Sequence, residues 1–317
     1  VKVLVCGGAG FIGSHLVERL VADGHEVLVV DDLSHGKLDN LAGVEVEFER
    51  LDITDPGLAE LVGRVRPEVV YNLAAQIDVR ISVNAPVLDA ATNILGTLAI
   101  LEAARRSGTR KVVLASSVAV YGPPARIPVT EQTPTNPLSP YAVSKLAGEF
   151  YLRQYQQLHG LDTTTLTLTN TYGPRQDPHG EAGVVAIFAN AMLAGAPTRV
   201  FGDGSNSRDY VYVGDVVEAF VLAGGRASQK TTVASGRRLN IGTGVATTDL
   251  HLHRTVAAAV GGAPEPEYAP QRLGDLPHMA VDASMARQVL GWVPRTPLGE
   301  GIARTVAAMR SAALADR

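Results

Sequence analysis

Tyr141 and Lys145 stand four residues apart at the start of a helical stretch, a spacing that sets both side chains on one face. A free phenol, with a pKa of about 10, is a poor base at neutral pH. A neighbouring ammonium favours the phenolate, and a second cation would favour it further. Moving the phenol by about three units takes roughly 4 kcal/mol, which two desolvated positive charges can supply. Ser117 closes an earlier apolar run, residues 111–115 followed by Ser116, and could bridge a substrate hydroxyl to the phenol. These three side chains suit removal of a proton from an alcohol. The Y-x-x-x-K spacing is unspecific by itself, so its meaning rests on the elements around it.

The first of those elements opens the chain. An apolar run (Val1, Val3, Leu4, Val5, Cys6) ends in Gly7, Gly8, Gly10 and Gly13. An amphipathic stretch follows, with Ile12, Leu16, Val17 and Leu20 on one face, and then a second apolar run, residues 27–30, closed by Asp31 and Asp32. Strand, Gly-rich turn, helix, strand and acid are the setting in which such glycines mark a dinucleotide site. The glycines permit a tight turn, a close backbone approach to a pyrophosphate and close helix–strand packing, while the helix N-terminus offers free N–H groups. Asp31 is placed to accept hydrogen bonds from the adenosine ribose hydroxyls and repels a 2′-phosphate, so NAD is expected rather than NADP. The oxidised nicotinamide ring is then the second cation that Tyr141 needs.

Composition bounds the remaining possibilities. With 317 residues, 46% of them apolar and 19% charged, the chain can bury a large core in one or two domains. A net charge of −4 without a basic block argues against a nucleic-acid surface. Cys6 is the only cysteine, which leaves no intrachain disulfide and no cysteine metal cluster, and it reads as a small core residue. The eight histidines show no metal spacing; His251 and His253 are two apart in a helical stretch and do not share a face. No apolar run approaches the roughly 20 residues of a membrane span, and the N-terminus enters the first strand at once. A cytoplasmic protein without a membrane partner is expected.

Further strands are expected at residues 44–48, 68–72, 111–115 and 163–169, separated by helical patterns at residues 88–107 and from Pro140 past Tyr155. Alternating strands and helices predict an α/β fold, a doubly wound parallel Rossmann sheet. Asp52-Ile53 after the third strand could hold adenine by a hydrogen bond and by packing. Leu73, Ala74 and Ala75 after the fourth are small enough to let a ligand lie against the backbone. Asn93, a poor helix-interior residue, is either exposed or faces something specific. After Gly173 the pattern changes, with a helix at residues 184–193, a loop at 201–208, a strand end and helix at 211–225 returning to the main sheet, and a mixed remainder. The expected division is a NAD-binding domain of residues 1–173 plus about 209–244, and a smaller discontinuous α/β substrate domain of about 174–208 plus 245–317. Trp292 reads as a packing residue of that second domain, and Asp177, His179 and Glu181 as a solvated loop.

The segments GGAGFIGSH, SSVAVYG, SPYAVSK, NTYGPRQ and RDYVYVGD, with RLGDLP, together resemble the extended short-chain dehydrogenase/reductase family, and within it the UDP-glucose (UDP-galactose) 4-epimerases and their nucleotide-sugar relatives. The resemblance covers residues 1–305. It implies a pyrophosphate loop at Gly7, Gly10, Phe11, Ile12 and Gly13, a ribose ligand at Asp31 beside Asp32, and an adenine contact at Asp52 and Ile53. Leu73, Ala74, Ala75, Asn93 and Ser116 would complete the cofactor contacts. Ser117, Tyr141 and Lys145 match the catalytic serine, tyrosine and lysine. Asn170 matches a substrate-diphosphate contact, and Arg208, Arg272 and Asp275 match the groups that hold diphosphate and uridine ribose, with Val185 and Phe201 beside them. Arginine suits that role because a planar cation pairs with phosphate oxygens. His15 resembles a position near the phosphates.

Two departures stand out. Thr167 occupies a position where many members carry arginine. Val118 and Ala119 follow Ser117 where family dehydratases and decarboxylases carry acids, which argues against those reactions. The expected activity is therefore inversion at C4 of a UDP-hexose through a transient 4-ketose, anchored by its UDP while the sugar turns. The alternatives are the same chemistry on UDP-glucuronic acid, UDP-N-acetylhexosamine or another NDP-sugar, or an idle NAD-sensing regulator that would have no need of Ser117, Tyr141 and Lys145. The resemblance also implies a homodimer, with the helices near 88–107 and 141–157 forming a four-helix interface.

Overall fold

The apolar runs read in the sequence become the strands of one parallel sheet. The computed structural model describes residues 1–179, 183–225, 234–271 and 277–315. The first half contains β1 (Lys2–Cys6), α1 (Phe11–Ala22), β2 (Glu26–Asp31), β3 (Glu47–Arg50), α2 (Gly57–Val65) and β4 (Val69–Asn72). Then come α3 (Val79–Asn84), α4 (Pro86–Ala90), a π-helical turn at Ala91–Leu95, α5 (Gly96–Ser107), β5 (Lys111–Ser117), α6 (Pro140–His159) and β6 (Asp162–Leu168). The rest comprises β7 (Asn170–Tyr172), α7 (Val184–Leu193), β8 (Arg199–Phe201), β9 (Ser207–Tyr212), α8 (Val213–Gly224), β10 (Arg237–Ile241), β11 (Ala246–Thr248), α9 (Asp249–Val260), β12 (Glu267–Ala269), α10 (Ser284–Leu290) and α11 (Leu298–Ala315).

Seven strands lie in the order β10-β6-β5-β4-β1-β2-β3, every neighbouring pair parallel. Successive strands run outward from β1 to β3 and then cross to β4 on its other side, so the switch point lies between β1 and β4, where open sheets bind ligands. Helices cover both faces, which is why β1, β2 and β4 read as continuous apolar runs rather than alternating ones. Val3, Val5, Val29 and Val113 pack with Leu16, Val217 and Phe220 on one face. Leu4, Cys6, Leu28 and Val70 pack with Ile100, Leu101 and Leu152 on the other. Burial pushes the Cys6 thiol up to about 12, as expected of an inert core residue.

Smaller sheets, β11-β9-β7 and β12-β8, adjoin the main one. Tyr172, Val185, Phe188, Val200, Tyr210, Leu252, Ile302 and Val306 form a separate apolar cluster among them and α7, α9 and α11.

Three expectations change. The third strand is Glu47–Arg50, not residues 44–48: it is a largely exposed edge strand, so its register follows backbone pairing with β2 rather than an apolar pattern. Trp292 packs in the main-sheet core, its indole N–H donating to the Asp215 carbonyl at 2.8 Å. One helical run, Pro86–Ser107, does reach the length and apolarity of a membrane span, against the expectation that none approaches it. Nearly half of its most apolar window is buried within the fold, as in a core helix with one uncovered face.

Candidate active site

The Gly-rich turn sits where β1 meets α1. Gly7 has φ +77°, and a Cβ there would come within 2.6 Å of the Ala74 nitrogen. A Cβ on Gly13 would lie 2.0 Å from the Gly7 carbonyl oxygen, so α1 can seat against the turn only with glycine at that position. Gly10 caps α1 without a side-chain hydrogen bond, which leaves the first N–H groups of Phe11, Ile12 and Gly13 for an anion. Leu73 and Ala74 face this turn from the end of β4, and Ala75 follows them. Asp31, at the end of β2, is buried; its carboxylate accepts from the Ala9 and Leu33 N–H groups, each at 2.9 Å. Burial holds that carboxyl above its ordinary range, opposed by those two backbone donors. Asp32 is exposed and turns to Ser34, and Asp52 similarly accepts from Thr54. Ile53 is buried against Gly96, whose absent Cβ would meet it at 2.4 Å. A cradle that any Cβ would fill, free helix N–H groups and a fixed carboxylate on the neighbouring strand fit a dinucleotide.

Asn93 resolves in favour of a specific partner. It is buried in the π-helical turn, accepting from the Gln76 N–H at 2.9 Å and donating to the Gln76 carbonyl, Asp89 and Ser144. It therefore ties the chain leaving β4 to α6, on the turn that carries Tyr141 and Lys145. Ser139 caps α6 by accepting from the Ala142 N–H, and Pro140 occupies its first turn, so the local sequence fixes where the Tyr141 turn begins.

Tyr141, Lys145 and Ser117 converge at the C-terminal end of β5. Ser117 lies beside the phenol, its hydroxyl accepting from the Ala119 N–H at 3.2 Å, and the Lys145 ammonium donates to the Ala115 carbonyl at 3.1 Å. The lysine nitrogen lies 5.9 Å from the centre of the Tyr141 ring. Burial pushes the phenol up to about 12, with Ser117 opposing and Asp89 adding to the rise. Burial also takes Lys145 down to about 8, against Asp89 and Glu149. The protein alone thus leaves the phenol protonated. Desolvation of the phenol works against the ionisation that a neighbouring cation favours.

On the substrate side, Asn170 begins β7 half-buried and Arg208 lies on β9 with its guanidinium donating to the Ser207 carbonyl. Phe201 ends β8 half-buried, whereas Val185 is fully buried in the cluster around α7. Arg272, Asp275 and Glu181 lie outside the described residues. Asp177 accepts from the His179 N–H in an exposed turn, as a solvated loop should. Thr167 is fully buried, on β6 opposite Ser116.

Sequence reasoning missed two buried carboxylates here, Asp209 and Glu149. Asp209 is fully buried and accepts from Thr243, Gly244 and Val281, which fastens the loop after β10 to β9. Glu149, one turn beyond Lys145, takes a hydrogen bond from Ser116 and one from the Arg238 Nε at 2.6 Å. The signal was available for Glu149: Tyr141, Lys145 and Glu149 repeat every four residues. Burial holds its carboxyl above the ordinary range, with Arg238 the strongest opposing pull. Arg238→Met is expected to cost about 3–5 kcal/mol in urea unfolding by stranding a buried carboxylate. That deficit should shrink towards acid pH: the native carboxyl then binds a proton the unfolded chain has lost, so stability falls as pH rises.

A Gly-rich turn at the switch point of a parallel sheet, with a serine ending β5 and a tyrosine and lysine on the first turns of α6, defines a nucleotide-dependent enzyme that works on an alcohol carbon. A sequence profile of the GDP-mannose 4,6 dehydratase family matches residues 4–305, and the chain belongs to that family, within the extended short-chain dehydrogenases/reductases. The chain is 53% identical over 315 residues to the UDP-glucose 4-epimerase of Mycolicibacterium smegmatis, covering 98% of this chain and 99% of that one. It superposes on Thermotoga maritima UDP-glucose 4-epimerase with UDP-glucose at a TM-score of 0.94 and 42% identity, over 99% and 100% of the two chains. For the Thermus thermophilus UDP-glucose 4-epimerase in complex with NAD the TM-score is 0.89 at 44% identity, over 98% and 100%.

Proposed function

We infer that this chain is an NAD-dependent 4-epimerase of a UDP-hexose, interconverting UDP-glucose and UDP-galactose. The observation that carries this reading is the convergence of Ser117, Tyr141 and Lys145 beside the Gly-rich turn, in a chain matched end to end by UDP-glucose 4-epimerases. Bound NAD supplies what the side chains lack, a hydride acceptor and donor at the sugar carbon and a cationic ring that favours the phenolate. Gly7, Gly10, Phe11, Ile12 and Gly13 would hold its pyrophosphate and Asp31 its ribose; Asp32, Asp52, Ile53, Leu73, Ala74, Ala75, Asn93 and Ser116 would line the remainder. Tyr141 takes the proton from the 4-hydroxyl, and Ser117 holds that oxygen against the phenol. Lys145 keeps its positive charge beside both. The 4-ketose then turns while its diphosphate stays anchored by Asn170, Arg208 and Arg272, with Asp275, Val185 and Phe201 on the uridine side. Tyr141 returns the proton to the oxygen on the opposite face.

Although the family profile is named for a dehydratase, Val118 and Ala119 offer no acid beside Ser117, which favours epimerisation over loss of water. Incubation without added cofactor with UDP-glucose, UDP-galactose, UDP-N-acetylglucosamine and UDP-glucuronic acid, followed by NMR of the C4 proton, tests the assignment. Fastest interconversion of the glucose–galactose pair supports it; release of water or carbon dioxide contradicts it.

Residues 1–173 with about 209–244 form the NAD-binding unit in this reading, and the remainder the sugar-nucleotide unit, which the separate apolar cluster supports. The working unit is a cytoplasmic homodimer. Val87, Leu88 and Leu95 are exposed on and after α4, and Val143, Phe150 and Leu158 on α6, which together offer an uncovered apolar face. Leu95→Glu with Phe150→Glu is expected to halve the mass measured by sedimentation.

A further inference from the structure

We infer that Arg175 is the staple that closes the adenosine side of the NAD site, and that His15 must be neutral for it to hold. This rests on the chain binding NAD as proposed above. Arg175 follows β7 on the segment that leaves the main sheet, and its φ of +67° lies in a region that L side chains rarely adopt. That backbone brings the guanidinium back across the fold to three partners. One Nη donates to the Asn40 carbonyl at 2.8 Å, and the other reaches His15 Nδ1 at 2.8 Å and Glu18 at 2.6 Å.

Each partner belongs to a wall of the cofactor site. His15 and Glu18 lie on the helix whose N-terminus faces the Gly-rich turn. Asn40 lies within the segment that follows Asp31, and its side chain donates to the Ala9 carbonyl at 2.8 Å, as the Lys37 N–H does at 3.0 Å. Ala9 in turn donates to the Asp31 carboxylate at 2.9 Å. A continuous chain of hydrogen bonds therefore runs Arg175–Asn40–Ala9–Asp31. The loop beyond β2 and the Gly-rich turn cannot part freely while Arg175 holds the loop and α1 at once. Arg175 is a positioning residue here: it acts through the walls rather than on the reacting atoms.

The hydrogen bonds also fix the state of His15. Its Nε2 pairs with the Pro174 carbonyl at 2.9 Å, which accepts only, so that nitrogen carries the proton. A guanidinium donates only, so Nδ1 must present its lone pair. Protonating His15 would set an N–H against Arg175 and break the pair. Around the ring, burial and the Arg175 charge disfavour protonation, while the Pro174 carbonyl and Glu18, at 3.9 Å, favour it. Phe11 packs on the ring as an edge-to-face neighbour and carries no charge.

The test measures release of NAD from the purified holoenzyme, by timed dilution and quantification of free NAD. Wild type is expected to retain NAD near pH 7.5, and Arg175→Ala to release it about tenfold faster or more, as for loss of charged hydrogen bonds. Arg175→Lys, which keeps the charge and loses the fork, should fall between them. Wild-type release should quicken as pH drops below the ordinary histidine range of about 6.5, and His15→Gln should flatten that dependence. A folded Arg175→Ala protein that releases NAD at the wild-type rate would overturn the staple. If that variant does not fold, wild-type release with no acid dependence overturns it equally. A wild type that binds no NAD at all would instead sink the functional reading on which the staple depends.

Discussion

Tyr141→Phe is expected to lower interconversion of UDP-glucose and UDP-galactose by about a thousandfold while NAD remains bound. The substitution removes one oxygen and leaves the ring that packs at the start of α6. Ser117 and Lys145 stay in place, so the loss isolates the proton transfer. Ser117 is a poor substitute for the phenol, because an aliphatic hydroxyl is a far weaker acid than a phenol and its alkoxide is correspondingly harder to form. Turnover is read by NMR at C4 and bound cofactor by denaturing the protein and quantifying NAD. A variant within about tenfold of wild type would mean that another group takes the proton, since a positioned acid–base group contributes on the order of a hundredfold or more.

Gly13→Val should yield protein that purifies without NAD and turns over no sugar. A Cβ on residue 13 would sit 2.0 Å from the Gly7 oxygen and 2.9 Å from the Gly8 Cα, both backbone atoms that cannot rotate aside. Either the N-terminus of α1 lifts or the turn opens, and in each case the cradle for the pyrophosphate is lost. Overpacking of this kind also costs about 1–3 kcal/mol of stability, so unfolding should be measured alongside NAD content. The control is Gly63→Ala in α2, where nothing lies within 4 Å of the added Cβ. That helix-interior change should keep NAD and stabilise the protein by about 0.5–1 kcal/mol. NAD bound at wild-type level by the Gly13 variant would contradict the cofactor site drawn here.

The parts of this site that were legible in the sequence are those where one residue type is forced by backbone geometry or by local spacing. Gly7 and Gly13 could be assigned because a Gly-rich turn between strand and helix leaves few alternatives, and Tyr141 with Lys145 because one helix turn links them. Parallel strands covered on both faces declare themselves as apolar runs, so β1, β2 and β4 to β6 fell within a few residues of expectation. The edge strand β3 overlaps its expected range but begins at Glu47 rather than at residue 44, since half-exposed backbone pairing leaves no apolar signature. Asp89 and Asp209 were invisible for a different reason, and Glu149 showed only its spacing. A charged residue in a sequence reads as solvated, and only the assembled fold shows Gln76 and Asn93, Arg238, or Thr243 and Gly244 around it. The joint effect of burial on Tyr141 and Lys145 was hidden for the same cause. Spacing places an ammonium near a phenol but does not report how much water the fold removes from both.

The central claim is that oxidation and reduction occur at the same carbon within one bound sugar. UDP-glucose carrying deuterium at C4, incubated in ordinary water without added cofactor, tests it most directly. The account predicts UDP-galactose with deuterium retained at C4 and no net NADH. Loss of the label to water, or steady accumulation of NADH, would contradict it.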